Sequence, residues 1–369
     1  MKVLIFPKDD NPYQTLLYLN MEQSLIVAYL DVTSDSKIKT ITYLPRLLFG
    51  LSVWRLRGFR IIHIHWLYKF SLPSKIPFSG QIAFVNTLLF LHAVKILRYK
   101  VVWTAHNVLP HERITSNDLY IRKRLGTITG AIITHSPATV PKLEKLGIKS
   151  NAIHIVPHGT YQGTYPDSLS RDRARDILGI GYEEFVFLFF GRIRTYKNVS
   201  ELIETFKKLV KTQKNISMII AGNTSDEALR ETIEKGKLEI GKKLITRISY
   251  IPDDEVQHYF KAADIAVYPF KEISTSGSVI AALSFGLPII VPMLGALRDL
   301  PNDVGYFYEP IDKNGLSKAM MQAVQDKGLV SIKGKKAKHY AESLSWDEIS
   351  VQTYNIYEKL LEIPKSVNI

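Results

Sequence analysis

The stretch that decides the fold is Gly191-Arg192-Ile193-Arg194-Thr195-Tyr196-Lys197-Asn198. The apolar run at residues 184–190 precedes it without a helical period, which is typical of a fully buried strand. Residues 199–212 follow it with apolar side chains at helical spacing. A buried strand, a glycine turn with cations and a helix start favour phosphate binding, because backbone N–H groups and the helix dipole attract negative charge. Taken alone, a solvated basic turn explains these residues equally well.

A second candidate phosphate-binding turn lies further along the same half. Thr275-Ser276-Gly277-Ser278 follows a predicted strand at 265–268 and opens a predicted helix at 276–285. Small side chains and N–H groups at a helix N-terminus suit an anion, although an ordinary N-cap is the commoner use of Ser and Thr. Two such turns, each after a strand of one domain, favour a diphosphate clamp over coincidence.

Strand and helix patterns alternate through both halves, which predicts an α/β fold with two doubly wound parallel sheets. We expect an N-terminal domain at residues 1–160, a linker within 157–170, a second domain at 165–345 and a terminal helical segment at 346–369 that packs back on the first domain. The predicted strands are residues 2–7, 24–30, 61–65, 101–105, 131–134, 152–156, 185–190, 216–221, 244–250, 265–268 and 288–291. The predicted helices are residues 81–98, 137–146, 199–212, 225–239, 253–262, 276–285, 316–326 and 346–363.

Composition excludes several classes of site. The 369 residues contain no cysteine, so disulfides, zinc-thiolate sites and cysteine nucleophiles are ruled out. The apolar part of the N-terminus is too short for a signal peptide and is typical of a first strand. The long apolar stretch at 82–97 contains Asn86, His92 and Lys95, which favours a buried or interfacial helix over a membrane span.

The positive charge is concentrated in the first half. Residues 1–165 hold 20 Lys and Arg against 8 Asp and Glu, so 20 − 8 = +12 of the total net charge of +13. These cations alternate with aromatic residues and leucines at 43–49 and 54–60, a composition that suits an anionic membrane surface or an acidic ligand. A merely solvated basic face remains the alternative. Nucleic acid is disfavoured, because no zinc-finger, RNA-binding or basic coiled-coil pattern is present.

Several motifs resemble those of GT-B glycosyltransferases of the large family 4-like group. The resemblance is specific across roughly residues 185–295 and diffuse elsewhere. In the first half, Trp103-Thr104-Ala105-His106-Asn107 resembles the strand end that carries a substrate-facing histidine, and His154-Ile155-Val156-Pro157-His158-Gly159 resembles the crossing to the donor domain. The motifs of the second half are Gly191-Arg192 with Lys197-Asn198, Ala221-Gly222-Asn223, Tyr250-Ile251-Pro252, Ala263-Asp264-Ile265-Ala266-Val267-Tyr268-Pro269 and Leu283-Ser284-Phe285-Gly286-Leu287-Pro288-Ile289-Ile290.

The resemblance implies two Rossmann-like domains that face a cleft, with a C-terminal helix that crosses back. It also implies a nucleotide-sugar donor, UDP- or GDP-linked, as substrate and no further cofactor. Arg192, Lys197 and the adjacent Asn198 would contact the diphosphate, and Thr275, Ser276, Gly277 and Ser278 would bind the distal phosphate or the sugar. Tyr250 and Pro252 would border the base.

The chain departs from this family at two places. Retaining members carry two glutamates around the second turn, and the aligned positions here are Ile273 and Ala281. Glu272 lies one place off and is a candidate to replace the first. The glycine pair usual after the first strand is absent as well. These departures suggest an inverting subgroup similar to the bacterial exopolysaccharide and capsule transferases.

An inverting enzyme needs a general base within hydrogen-bond reach of the attacking hydroxyl. The candidates are His106, His111, Glu112, Asp9 and Asp10, which all lie on predicted strand-end loops of the first half. Glu112 and His106 come first, because both follow the predicted strand 101–105. A histidine satisfied by backbone groups and a solvent-facing glutamate are the alternatives.

No metal site is expected. His63 and His65 share one face of a strand, but no third ligand is spaced nearby, so a polar strand end is the better interpretation. No Asp-x-Asp pair is present to chelate a diphosphate. Arg192, Lys197 and helix dipoles would therefore neutralise the leaving group.

The sequence thus predicts a metal-independent glycosyltransferase that moves a sugar from a nucleoside-diphosphate sugar to a carbohydrate acceptor, lipid-linked, in cell-surface polysaccharide synthesis. We expect it in the cytoplasm, peripheral on the inner face of the plasma membrane. A GT-B nucleotide-sugar epimerase and a non-catalytic nucleotide-sugar-binding protein are the competing interpretations.

Overall fold

The computed structural model describes residues 1–9, 11–21, 24–30, 43–73 and 76–362. The chain forms two compact units. Residues 1–157 and the chain from Trp346 onward make the first unit, and His158–Ser345 makes the second. The predicted linker at 157–170 contains no helix or strand.

The described part of the first unit is built on one parallel sheet of six strands in the order β2-β1-β3-β4-β5-β6. The strand order reverses between β1 and β3, which is where open parallel sheets bind ligands, beyond the carboxyl ends of the strands. The strands are β1 (Lys2–Phe6), β2 (Ile26–Tyr29), β3 (Ile61–Ile64), β4 (Lys100–Thr104), β5 (Thr129–Thr134) and β6 (Ile153–Ile155).

Helices cover both faces of this sheet. Two separate apolar cores result: one contains Leu51, Phe90 and Leu125 from α2, α3 and α4, and the other contains Leu17 and Tyr357 from α1 and α13. The terminal helix α13 therefore packs within the first unit. The helices of this unit are α1 (Pro12–Leu19), α2 (Tyr43–Leu56), α3 (Ser79–Ile96), α4 (Asp118–Ile128), α5 (Val140–Glu144) and α13 (Trp346–Leu361).

The second unit has a six-stranded parallel sheet in the order β12-β11-β10-β7-β8-β9. The order reverses between β7 and β10, so these neighbouring strands mark its switch point. The strands are β7 (Phe185–Phe190), β8 (Ile216–Ala221), β9 (Leu244–Arg247), β10 (Ile265–Val267), β11 (Ile289–Pro292) and β12 (Gly305–Tyr308). The helices are α6 (Arg171–Leu178), α7 (Val199–Thr212), α8 (Glu227–Ile240), α9 (Val256–Ala262), α10 (Gly277–Ser284), α11 (Gly315–Gln325) and α12 (Lys327–Glu342).

The predicted fold class is confirmed, since both sheets are parallel and doubly wound. Not every predicted element was right. The predicted helix at 137–146 is a 3-10 turn, Pro137–Thr139, followed by the short α5. The elements that the sequence analysis missed are α1, α2, α4, α6, α12 and β12.

Candidate functional site

The first predicted phosphate turn directly follows β7. Gly191 has a φ of +114°, and a Cβ there would lie 2.6 Å from the Ser278 hydroxyl oxygen. Gly222, which follows β8, has a φ of +146°, and its Cβ would lie 2.1 Å from the Gly191 carbonyl oxygen. Both positions therefore require glycine, because a side chain would push two strand-end loops apart. A 3-10 turn, Thr195–Lys197, and Asn198 in the left-handed region then lead into α7.

The structure brings the two predicted phosphate turns together. Lys197 Nζ donates to Ser278 Oγ at 3.2 Å, and the Lys271 amide donates to the Tyr196 carbonyl at 2.9 Å. The rings of Tyr196 and Phe270 are stacked, which adds a side-chain contact between the two loops. The turns meet because β7 and β10 are neighbours whose carboxyl ends share one edge of the sheet. We call Gly191–Asn198 and Thr275–Ser278 together the phosphate seat.

Lys197 is buried and forms no ion pair with a carboxylate among the described residues. Its side chain is only 6% exposed. Burial, and after it the charges of the neighbouring Arg192 and Arg194 guanidinium groups, together lower the pKa of the Lys197 ammonium to about 7. Removing an ammonium from water without a counter-charge is unfavourable. An anion that bound in this seat would supply that missing charge.

The second turn forms the N-terminus of α10. Ser276 is the N-cap, and its hydroxyl accepts from the Val279 amide at 3.3 Å. Ser276 therefore has the ordinary capping role that is the commoner use of serine at a helix N-terminus. It does not use Ser278, whose hydroxyl contacts Lys197 and whose carbonyl accepts from the Tyr268 hydroxyl. Thr275 and Ser276 are half-buried beside it.

The other predicted donor-binding residues differ in their surroundings. Arg192 is exposed, and the Asn198 side chain is buried and donates to the Glu201 carboxylate. Glu272 is exposed too. Tyr250, 71% exposed, and the half-buried Pro252 follow β9, two strands away from β7. The structure therefore joins the two turns directly and leaves the predicted base-bordering residues at the sheet's outer side.

The two positions aligned with the family's glutamates carry apolar, buried side chains. Ile273 is 4% exposed and Ala281 is 7% exposed. Neither offers a carboxylate to the seat, and Ala281 lies within α10.

A row of three histidines lies beyond the carboxyl ends of β3, β4 and β5 in the first unit. His65 Nδ1 lies 3.3 Å from His106 Nε2, and His106 Nδ1 lies 3.2 Å from His135 Nε2. The Tyr18 hydroxyl contacts His65 Nε2 at 2.9 Å. At the other end, the Val156 carbonyl accepts from His135 Nδ1 at 2.9 Å. We call His65, His106 and His135 the histidine row.

The Val156 carbonyl group fixes the donor-to-acceptor direction of every hydrogen bond in the histidine row when all three rings are neutral. Val156 can only accept, so His135 Nδ1 carries hydrogen and its Nε2 accepts from His106. His106 Nε2 must then accept from His65, and His65 Nε2 accepts from Tyr18. Burial lowers the pKa of the His65 imidazole well below its usual value, which keeps that ring neutral. Both nitrogens of His106 are thus engaged.

Aromatic contacts hold His106 as well. The Trp66 ring stacks on it at 4.5 Å, and the Tyr13 ring meets it edge-on at 4.8 Å. His63 extends the network, with Nε2 at 2.7 Å from Thr104 Oγ1 and Nδ1 at 2.6 Å from the Tyr357 hydroxyl of α13. The two strand histidines His63 and His65 therefore belong to a hydrogen-bond network. In the part of the chain described, no cluster of three or more His, Asp and Glu side chains has the arrangement of a metal site.

The remaining candidate bases have different environments. The Asp9 carboxylate accepts from the Tyr68 hydroxyl and, at 2.8 Å, from the Asn11 amide. His111 is half-buried and Glu112 is exposed, both on the loop between β4 and α4. Asp10 lies outside the described residues.

Sequence reasoning missed several residues of the network around His106. His135 and Trp66 contact His106 directly, and Tyr18 contacts His65. They were not singled out, because these contacts depend on how separate strands and α1 pack together. Asn107 is a further case, because its side-chain oxygen is buried without a hydrogen-bond partner among the described residues. A buried acceptor of this kind is costly unless a ligand donates to it.

The second unit also contains a cavity of about 860 Å³. Residues at the start of β7 and before β10 and β11 line it, among them Glu184, Asp264 and Pro288. This cavity is therefore at the amino ends of the strands, on the edge opposite the phosphate seat. Ligands of open parallel sheets bind at the carboxyl ends.

Comparison with known families agrees with the geometry of the second unit. Residues 170–343 match the family model described as Glycosyl transferases group 1. The chain is 26% identical to the O-antigen chain mannosyltransferase B of Escherichia coli over 176 residues, 47% of this chain and 45% of that protein. It is 23% identical to the GDP-mannose:glycolipid 4-beta-D-mannosyltransferase of Xanthomonas campestris pv. campestris over 320 residues, 85% of this chain and 80% of that protein. The chain thus spans less than half of the first relative and four fifths of the second.

Solved structures share the fold of the whole chain. Sucrose-phosphate synthase from Thermosynechococcus elongatus superposes with a TM-score of 0.78 at 17% identity, and the match covers 97% of this chain and 98% of that one. Anabaena HepE in complex with UDP-glucose gives a TM-score of 0.74 at 14% identity, covering 98% and 99%. The chain has the two-domain Rossmann-like GT-B fold. The group 1 match covers most of the second unit, and the shared fold extends over both units.

Proposed function

We propose that this chain transfers a sugar from a nucleoside-diphosphate sugar to a carbohydrate acceptor, lipid-linked, in the synthesis of a cell-surface polysaccharide. The observation that carries the proposal is the phosphate seat, in which Lys197 and Ser278 from two strand-end loops converge at the β7 and β10 switch point. A buried cation beside a helix N-terminus suits a diphosphate, because the charge and the amide groups act on the same anion.

The donor is UDP- or GDP-linked in this proposal. HepE is a structural neighbour that was solved with UDP-glucose, and the Xanthomonas relative is named for GDP-mannose. Arg192, Lys197 and Asn198 would hold the diphosphate, and the Thr275–Ser278 turn would contact the distal phosphate or the sugar. Tyr250 and Pro252 would border the base beyond β9.

The acceptor and the inverting outcome are proposed from the relatives and the missing glutamates. The Xanthomonas relative is named as acting on a glycolipid and as a β-mannosyltransferase, and a β product from an α-linked donor requires inversion. Apolar Ile273 and Ala281 replace the two glutamates of retaining members, and exposed Glu272 remains a candidate for a donor contact. Work in the cytoplasm at the inner face of the plasma membrane follows from a lipid-linked acceptor and the basic first half.

Leaving-group stabilisation falls to side-chain cations in this mechanism. Negative charge grows on the diphosphate as the bond to the sugar breaks, and Lys197 is already in place to meet it. Arg192 adds an exposed guanidinium at the rim of the same loop. The chain therefore supplies two cations where a metal ion would otherwise act, and we propose a metal-independent reaction without a further cofactor.

The general base is assigned to Glu112. An inverting base must take the proton of the acceptor hydroxyl directly. His106 uses its accepting nitrogen for His65 in the neutral row, and the Asp9 carboxylate is held by Tyr68 and Asn11. Glu112 is an exposed residue of the loop that follows β4, at the carboxyl end of the sheet, where open parallel sheets bind ligands. The buried side-chain oxygen of Asn107, next to His106 in the chain, would then accept a hydrogen bond from a sugar hydroxyl group.

The competing interpretations are not favoured. The relatives described above are named as mannosyltransferases, and neither name describes an epimerase or a binding protein. An epimerase would also convert the donor without an acceptor, which provides a direct test.

Thermal-shift screening against UDP, GDP, ADP and their sugars tests the proposal first, because a ligand selective for the folded state raises the melting temperature. We expect at least one nucleoside diphosphate to stabilise the protein and Lys197→Met to abolish that shift. Transfer is then measured as nucleotide release on addition of acceptor, with and without EDTA, and the anomer of the product is read by NMR.

Several results would contradict the proposal. Failure of every nucleotide to raise the melting temperature would remove the donor site. Release of nucleotide without acceptor, or epimerised donor, would replace transfer by another activity. Loss of activity in EDTA would disprove the metal-independent step, and an α product from an α-linked donor would disprove inversion. Full activity of Glu112→Gln would exclude Glu112 as the base.

A further inference from the structure

We propose that the outer face of α3, with the adjoining surfaces of α2 and α4, docks on an anionic phospholipid bilayer. The proposal rests on the proposed function in one respect, since it identifies where a protein with a lipid-linked acceptor meets the membrane. Exposure, spacing and charge within the first unit define the surface. We call Ile82, Val85, Leu89, His92 and Ile96 the outer stripe of α3.

The helix α3 is apolar on two opposite faces. Its inner face, which includes Ala83, Phe90 and Val94, is buried in the core between sheet and helices. The outer stripe follows intervals of three and four residues on the opposite side, and its apolar members are 40% to 64% exposed. A helix at the surface of a globular protein normally carries polar residues there. A continuous exposed apolar stripe is typical of an interaction site.

The buried inner face decides how α3 relates to a membrane. Within the residues described, Ser79–Ile96 is long and apolar enough to cross a bilayer by length and composition. A spanning helix would have to withdraw Phe90, Leu91 and Val94 from the core that they share with α2 and α4. A helix that keeps its inner face on the sheet can present only its outer stripe to lipid. The arrangement is that of an interfacial helix.

The charge around the stripe has one sign. Residues 36–111 contain eleven Lys and Arg and no Asp or Glu. Lys95 is exposed on α3, Lys123 and Arg124 are exposed on α4, and Arg57 is exposed directly after α2. The acid of α4, Asp118, is turned to the preceding loop, where it accepts from the Ile114 and Thr115 amides. Cations within a Debye length of anionic lipid are attracted to it.

A groove between α3 and α4 is lined by both apolar and positively charged side chains. Its volume is about 260 Å³, and Leu88, Leu91 and Ile128 line its apolar wall. Lys95 and Arg124 also line it. An anionic phospholipid fits this combination, because its acyl chain is apolar and its phosphate is negative.

The chemistry of the surface favours a bilayer over a nucleic acid. The centre of the surface is aliphatic. The phosphate backbone of a nucleic acid offers no apolar surface on which these aliphatic side chains could be buried from water. A bilayer with anionic lipid offers hydrocarbon beneath a negative surface, which matches aliphatic residues flanked by cations.

Sedimentation of the full chain with vesicles tests the proposal without donor or acceptor. We expect binding to phosphatidylcholine vesicles that contain about 30% phosphatidylglycerol, weak binding to phosphatidylcholine alone, and weakening with salt. Val85→Ser with Leu89→Ser is expected to lower the partition coefficient about tenfold or more, because buried methylene groups drive insertion. Lys95→Glu with Arg124→Glu is expected to lower it at least as much.

Matched controls come from the second unit. Leu238 is 86% exposed on α8, and Lys208 and Lys211 are exposed on α7. We expect Leu238→Ser, and Lys208→Glu with Lys211→Glu, to leave vesicle binding within twofold of the parent. Leu89→Trp adds an independent readout, because brominated acyl chains should quench a tryptophan that enters the bilayer.

Each outcome has a defined meaning. Equal binding to neutral and anionic vesicles, unchanged binding of both surface variants, or no quenching of Leu89→Trp would overturn the proposal. Retention on RNA that the surface variants abolish, without vesicle binding, would assign the surface to nucleic acid instead and overturn it as well. Vesicle binding without transferase activity would support the surface and contradict the proposed function. Transfer to a water-soluble acceptor without vesicle binding would support the proposed transferase activity and contradict the membrane-docking surface.

Discussion

The phosphate seat of the second unit and the histidine row of the first occupy equivalent places. Both lie beyond the carboxyl ends of adjacent parallel strands, yet their electrostatics differ. In the seat, Lys197 is buried beside two guanidinium groups and its pKa falls to about 7. In the row, each ring nitrogen of His65 and His106 has a hydrogen-bond partner inside the unit.

This difference indicates that the phosphate seat binds a ligand, whereas the histidine row positions its own rings. A buried charge without a counter-charge costs folding free energy, so its retention is explained by a ligand that supplies the charge. A satisfied neutral network costs little and fixes the ring planes of its members. We therefore expect ligand chemistry to depend strongly on the seat and weakly on the row.

Replacing Lys197 by methionine should have the largest effect. We expect Lys197→Met to lower turnover between about tenfold and a thousandfold, because a leaving-group contact disappears. The melting temperature of the ligand-free protein should rise at the same time. Below pH 7 the ammonium is charged and desolvated, and methionine keeps the apolar stem beside the Phe189 ring without that penalty. Steady-state kinetics and thermal melts measure the two effects.

Arg192→Met is the matched control, because Arg192 is an exposed cation on the same loop. It should lower turnover without raising the melting temperature. Wild-type turnover in folded Lys197→Met would show that the Lys197 contact of the phosphate seat does not contribute to catalysis. A lower melting temperature in that variant would show that Lys197 stabilises the ligand-free protein, and its burial would then not be a cost that a ligand offsets.

The pH dependence of nucleotide affinity should be the next largest effect. The pKa of Lys197 is about 7 in the empty site, and a bound diphosphate raises it by adding negative charge. Binding must therefore take up a proton above pH 7, and the dissociation constant should rise by up to about tenfold per pH unit there. Calorimetry in buffers of different ionisation enthalpy measures the proton uptake directly.

Two variants sharpen this measurement. Lys197→Met should remove the proton uptake. Arg192→Ala should weaken nucleotide binding but leave the proton uptake in place, since arginine stays charged throughout this range. Proton uptake that persists in Lys197→Met would assign the titration to another group.

Acid should destabilise the first unit through its buried histidines. Burial lowers the pKa of His63 to about 3 from an ordinary value of 6.5. The folded state thus binds fewer protons than the unfolded state between these values, so stability is full above pH 6.5 and declines as the pH falls toward 3. Each such histidine contributes on the order of 1 kcal/mol per pH unit. His63→Asn should reduce the slope of the unfolding free energy against pH between these two values.

Tryptophan fluorescence during urea unfolding suits this test, because Trp54, Trp66, Trp103 and Trp346 all belong to the first unit. The control is His92→Asn, which changes an exposed histidine of α3 and should leave the slope unchanged. An unfolding free energy that does not depend on pH between 4 and 6.5 would contradict a neutral His63.

The contrast between the two regions also explains what the sequence could predict. The bounds of β7 and α7 were right to the residue, because a wholly apolar strand and a strongly periodic helix are unambiguous. The two phosphate turns could be paired in advance, since each follows a strand of one sheet. Helix α2 was missed because Pro45 and Gly50 interrupt a segment that is apolar on several sides. Strand β12 was missed because four residues carry too little pattern.

The histidine row could not be predicted from spacing. His65, His106 and His135 are separated by 41 and 29 residues along the chain, and only the order of β3, β4 and β5 makes them neighbours. The sequence identified His106 as a candidate base, and the structure adds that both of its ring nitrogens are engaged. The roles of the seat residues and of Glu112 stay predictions.

The smallest effect is expected from His135→Phe, which keeps the ring but removes both nitrogens. His106 then loses the acceptor for its Nδ1 hydrogen, so its tautomer is no longer fixed by the Val156 carbonyl. We expect a fall of a few-fold in kcat/KM, because a positioned ring becomes free to change tautomer while the seat stays intact. Nitrogen-15 NMR of His106 measures the tautomer.

His154→Phe is the control that separates positioning from packing. His154 is half-buried on β6, next to β5 but outside the row. It should leave both kcat/KM and the His106 resonances unchanged. A role in positioning requires the two readouts to move together in His135→Phe, since packing damage alone would lower stability without changing which His106 nitrogen carries hydrogen. An unchanged His106 tautomer would show that the row does not orient this ring, and the satisfied network of the first unit would then be structural.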